Sequence, residues 1–121
     1  MSEDNHPAQG IDPTLFLIIT TPVKPREEVM AMLPTHLEHQ IKIEQQGILF
    51  AAGPIFDEGG DAPSGGCIVI RAKDFEEAKK IADSDPMHAN GLRAYTIKRW
   101  KINEGSYCVS FSYSDHKLNV T

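Results

Sequence analysis

Four short apolar runs, separated by turn-forming residues and by two stretches of helical pattern, constrain this chain more than any other feature. Leu15 to Thr20 is apolar and β-branched, as a buried strand requires. Thr21-Pro22-Val23-Lys24-Pro25 ends it, because proline donates no ladder hydrogen bond. From Arg26 to Gln46, residues Val29, Leu33, Leu37 and Ile41 recur at four-residue spacing and form one apolar helix face, which Gly47 caps. Ile48 to Ala52 is a second strand, ended by Gly53-Pro54, and a Gly- and Asp-rich loop follows through Gly66. Cys67 to Arg71 makes the third strand. Asp74 is a suitable N-cap for a helix from Phe75 to Ala82, with Glu77 placed to complete a capping box. Asp85-Pro86 starts a short turn that ends at Gly91, since aspartate caps and proline is accommodated at the first helical position. Arg93 to Lys101 is the fourth strand. The order βαββαβ is that of a ferredoxin-like α+β domain.

Two segments lie outside this core. Residues Met1 to Pro13 are polar and punctuated by Pro7, Gly10 and Pro13, and they read as a disordered leader ahead of a domain spanning 14–102. Beyond Asn103-Glu104-Gly105, Tyr107, Val109 and Phe111 alternate with Cys108 and Ser110, and Lys117 to Thr121 can return antiparallel. Residues 103–121 therefore form an added C-terminal β-hairpin. An isolated hairpin is marginal in water, so it should rest on this domain or on another subunit. Pro34 complicates the first helix. Interior proline removes a hydrogen bond and crowds the preceding turn. The main helix is accordingly expected to begin near Pro34, with His36 in its first turn.

A chain of 121 residues, 40% apolar and 24% charged, can bury one modest core. Its net charge of −5 and scattered basic residues argue against a nucleic-acid partner. The longest strongly apolar run near the start, Leu15-Phe16-Leu17-Ile18-Ile19, is too short to span a membrane. Cys67 and Cys108 form neither a disulfide framework nor a zinc signature, and the chain reads as a reduced, cytoplasmic protein. Gly59-Gly60 and Gly65-Gly66 do not open a helix, so there is no dinucleotide fingerprint, and no cofactor is expected.

The chemistry-bearing candidates are few. On a helical wheel of about 100° per residue, His36 falls about 20° from Val29, at the margin of the apolar face. A histidine there can move protons near neutral pH, although a structural histidine bonded to backbone is the commoner outcome. Asp85 reads as a helix cap, and also as a carboxylate able to orient an imidazole; its two oxygens allow both. His88, one turn beyond Asp85, is placed to line the same pocket or to sit exposed in the turn. Arg93 can bind an anionic substrate or form a surface ion pair. Gly53-Pro54 permits close approach of a ligand to the backbone, or simply makes a turn. His39 has chelating spacing from His36, but no acidic partner shares its face, and no metal is expected. Cys67 has no adjacent basic partner and is a poor nucleophile.

The segments Pro34-Thr35-His36-Leu37, Gly47-Ile48-Leu49-Phe50-Ala51-Ala52-Gly53-Pro54, Phe75-Glu76-Glu77-Ala78 and Ala82-Asp83-Ser84-Asp85-Pro86 together resemble the YCII-like family of the dimeric α/β-barrel group. The resemblance covers Leu15 to Trp100. It implies a homodimer in which two four-stranded sheets pack face to face, and a pocket between each sheet and its helices. It also implies a His–Asp active site at His36 and Asp85, and so turns the balance for His36 toward catalysis. Activities in the family include a dehydrochlorinase acting on a chlorinated hydroxyquinol, and the wider group holds lactone isomerases and cofactor-free oxygenases. The expected function is acid–base chemistry (elimination, isomerisation or hydrolysis) on a small, aromatic or lactone-like substrate. A non-catalytic binding or structural dimer is the alternative.

Overall fold

The computed structural model describes residues 14–121; the leader expected at 1–13 lies outside them. Strands β1 (Leu15–Pro22), β2 (Leu49–Ile55), β3 (Gly65–Arg71) and β4 (Arg93–Trp100) form one antiparallel sheet in the order β2-β3-β1-β4. Helices α1 (Arg26–Gln45), α2 (Phe75–Ser84) and α3 (Pro86–Ala89) complete a ferredoxin-like βαββαβ arrangement. The period-2 alternation of strands sorts their side chains. Phe16, Ile18 and Thr20 of β1 are partnered by Ile70, Ile68 and Gly66 of β3. Phe16, Ile18, Ile68 and Ile70 join Ala72, Ala78 and Ala82 in the main core, so this face of the sheet carries α2. A smaller cluster of Val29, Met87 and Leu92 binds α1 to α3.

Helix α1 is continuous from Arg26 to Gln45 with Pro34 inside it, so the expected start near Pro34 is corrected. The lost donor leaves the carbonyl of Met30 without its i+4 partner, and Met30 lies on the exposed side of the helix. His36 thus sits mid-helix, away from the N-terminal dipole. The predicted glycine cap holds. Gly47 has φ of 77°, its N–H donates to the Glu44 carbonyl at 3.0 Å, and the Ile48 N–H reaches Ile43 at 2.9 Å. These are the paired bonds of a Schellman motif.

Strand β2 does not stop at Gly53-Pro54 but runs on to Ile55. It is an edge strand, where a proline without an N–H costs no ladder bond. Gly65 and Gly66, expected in the loop, belong to β3. A Cβ on Gly65 would lie 2.6 Å from the Thr20 carbonyl oxygen, so only glycine lets β3 approach β1 there. Asp74 caps α2 by accepting from the Glu77 N–H at 2.8 Å, but Glu77 returns its bond to the Lys73 N–H instead of closing the box on Asp74.

The C-terminal hairpin is present as β5 (Val109–Ser112) and β6 (Lys117–Val120), a separate two-stranded sheet. Its apolar residues Val109, Phe111, Leu118 and Val120 are all exposed, so this chain's own domain does not cover them.

Candidate active site

The packing of α3 on α1 through Val29, Met87 and Leu92 brings two distant polar residues together. His36 and Asp85, both buried, meet with Nδ1 to Oδ1 at 2.9 Å. Asp85 is also the N-cap of α3 and accepts from the Met87 N–H at 2.9 Å. Burial alone would raise the Asp85 carboxyl. The hydrogen bonds from His36 and Met87 and the nearby imidazoles of His36 and His88 outweigh it, and its pKa falls below the ordinary value. Asp85 is therefore a carboxylate. A carboxylate only accepts, so His36 carries its proton on Nδ1 and donates it to Asp85. Its Nε2 has no hydrogen-bond partner among the described residues.

His36 lines a cavity of about 740 Å³ between α1 and the sheet. That volume falls within the roughly 300–1,000 Å³ usual for small-molecule sites. The helical wheel explains how α1 makes it. Ile43, His36, Val29 and Gln40 fall within about 60° of one another and are the buried residues of the helix. Leu33, Leu37, Met30 and Ile41 continue the arc on one side and line the cavity. The apolar face is thus divided, one side packed and the other facing open space, and Leu37 and Ile41 remain about half exposed.

The floor of the cavity is the helix-bearing face of the sheet. Thr20, Gly66, Pro54 and Arg93 come from four strands, with Thr20 paired to Gly66 and Gly66 to Pro54. Gly53, Pro54 and Arg93, expected at the site, are all in the lining. His88 is not. It sits behind Thr20, donating from Nδ1 to the Ala82 carbonyl at 2.7 Å and meeting Thr20 Oγ1 through Nε2 at 2.8 Å. The single turn of α3 sets its ring away from the cavity and onto Tyr95, with centroids 4.6 Å apart. Burial and the hydrogen bond to Asp83 push the Tyr95 hydroxyl up to about 12, so it stays a donor.

Thr20, Lys24, Arg26 and Gln40 also line the cavity, and the sequence did not single them out. Strand alternation puts Thr20, 1% exposed, on the same face as Phe16 and Ile18, and its pairing with Gly66 sets it beside the cavity. That register is long-range information. His39 does not join a cluster: among the described residues no group of three or more His, Cys, Asp or Glu could hold a metal. Burial raises the Cys67 thiol, which disfavours the reactive thiolate. Among the described residues no helix is long and apolar enough to cross a membrane.

Comparison with known proteins bears on the fold and the family. The YjpA protein of Bacillus subtilis strain 168, described as uncharacterized, is 35% identical over 69 residues, which are 57% of this chain and 75% of that protein. A 5-chloro-2-hydroxyhydroquinone dehydrochlorinase (TftG) from Burkholderia phenoliruptrix AC1100, in complex with 2,5-dihydroxybenzoquinone, has the same fold. Its TM-score is 0.56 at 22% identity, covering 72% of this chain and 93% of the other. The YCII-related domain matches residues 14–101, and the chain belongs to that family.

Proposed function

We propose that this protein is a small cofactor-independent enzyme in which His36 is the general acid and base and Asp85 orients it. The observation that carries the reading is the 2.9 Å bond from His36 Nδ1 to a buried carboxylate, on a histidine that also lines the cavity. With Nδ1 protonated, Nε2 holds the free lone pair. It takes a proton from a substrate O–H or C–H, or from a water molecule, and the adjacent Asp85 carboxylate stabilises the imidazolium that forms. The proton is then returned to the product or to a leaving group. Elimination, isomerisation and hydrolysis share this first transfer.

The apolar lining from Leu33, Leu37, Ile41 and Ile68 suits a small ring. The dehydrochlorinase with the same fold acts on such a ring, which supports a hydroxylated aromatic substrate here. A homodimer formed through the sheets is part of the reading, as in the family's barrel arrangement. The test is turnover of 5-chloro-2-hydroxyhydroquinone and related chlorinated hydroxyquinols, followed by chloride release. His36→Ala should reduce the rate by about 10²- to 10⁴-fold, the contribution of a positioned proton-transfer group. An unchanged rate in that variant would remove the assignment. Ligand binding with no turnover of any of these compounds would favour a non-catalytic binding protein.

A further inference from the structure

The cavity has a polar end that proton transfer at His36 does not use. Arg93 lines it, and its Nε is shielded from solvent without a hydrogen-bond partner among the described residues. A buried donor left unsatisfied keeps its full desolvation cost, so the arrangement has a partner still to gain. No carboxylate pairs with Arg93 among the described residues. The neighbouring backbone is open: a Cβ on Gly66 would stand 3.5 Å from Arg93 Nη1 and 3.2 Å from Thr20 Cγ2. Glycine at that point keeps the space beside Arg93 Nη1 and the Thr20 methyl group open. Charge around the cavity agrees. Among the described residues, Lys24, Arg26 and Arg93 line it against Glu44 as the one acidic lining residue, although the whole chain carries a net charge of −5. Such a reversal of sign in a concave, low-dielectric site concentrates anions.

We propose that the cavity takes a small organic anion, with its apolar body against the exposed arc of α1 and its negative group held by Arg93 near Thr20. A planar oxyanion with paired oxygens, a carboxylate above all, fits the fork of an arginine, which offers two parallel N–H donors. Taking up the anion turns the guanidinium outward and satisfies Nε. This deepens the function proposed above, since it names the charge of the substrate for the same site, but it is tested by binding and does not depend on turnover.

The probes are 2,5-dihydroxybenzoate and its neutral isostere 2,5-dihydroxybenzamide, titrated by calorimetry into the full chain. The benzoate should bind at least tenfold more tightly, and the preference should weaken as salt is raised. Arg93→Gln should abolish the preference while leaving affinity for the benzamide in place. Arg93→Lys should retain only part of it, because an ammonium keeps the charge and lacks the fork. His36→Ala should keep the preference, which separates this proposal from the catalytic one. Equal affinity of the wild-type protein for the two probes overturns it, with no variant needed. So does a preference that survives in a folded Arg93→Gln protein.

Discussion

His36 and Asp85 stand 49 positions apart, and each has a local reason to be where it is. Asp85 precedes a proline and caps α3; His36 lies on the flank of an apolar arc. Their meeting adds a buried hydrogen bond, which fixes the imidazole tautomer. Nitrogen-15 NMR correlation of the His36 ring should show the proton on Nδ1 in the wild-type protein. Loss of that tautomer in Asp85→Asn would show that the carboxylate selects it, and an unchanged tautomer would not. Asp85 also sets an acid limit to stability. Its folded pKa lies below the ordinary 3.8, so its contribution is complete above that value and is lost as pH falls through the lower folded pKa. Urea unfolding should show the wild-type advantage over Asp85→Asn at about pH 7, and a smaller advantage at about pH 3. Thr20 shows what a residue's own neighbourhood conceals: strand alternation gives the face it shares with Phe16 and Ile18, but not that this end of the face borders a cavity.

At the scale of elements, Pro34 and the Gly65-Gly66 pair show opposite uses of special backbone. Pro34 breaks one hydrogen bond of a helix that is otherwise held by packing on α3. Pro34→Ala should therefore stabilise the protein by about 2 kcal/mol, read from urea unfolding. The propensity rule that puts a helix start at Pro34 is sound for an isolated segment, and tertiary packing overrides it here. The glycines of β3 are needed. A Cβ at Gly65 would meet backbone at 2.6 Å, and one at Gly66 would meet a methyl group at 3.2 Å. Both alanine variants should destabilise, Gly66→Ala by about 1–2 kcal/mol and Gly65→Ala by more, because a side-chain end yields more easily than a carbonyl. Equal cost in the two would contradict this account. The same reasoning explains why Gly53-Pro54 reads as a stop and is not one: its place on the sheet edge is invisible until the strand order is known.

In the whole molecule, the sheet and its helices share a core, whereas β5 and β6 expose Val109, Phe111, Leu118 and Val120. A two-stranded ribbon without a buried face is weakly stable. Amide hydrogen exchange should therefore be slowest in β1 and β3, which lie inside the sheet, and much faster in β5 and β6. Slow exchange at Phe111 and Leu118 in solution would mean that a second surface covers the hairpin. A dimer formed through the sheets should sediment at twice the 13.4 kDa of one chain.

The resemblance to the YCII-like family pointed to His36 and Asp85 as a pair, whereas local chemistry in the sequence was enough to determine the order of strands and helices and the caps at Asp74, Asp85 and Gly47. These depend on dihedral preferences, hydrogen-bonding side chains and apolar period, all carried within a few residues. Tertiary structure alone decided the continuity of α1 through Pro34, the run of β2 past Gly53, the withdrawal of His88 behind Thr20, and the cationic end of the cavity. Each of these depends on which distant residue lies alongside, through cross-strand register and helix–helix packing, and no local preference encodes that neighbour.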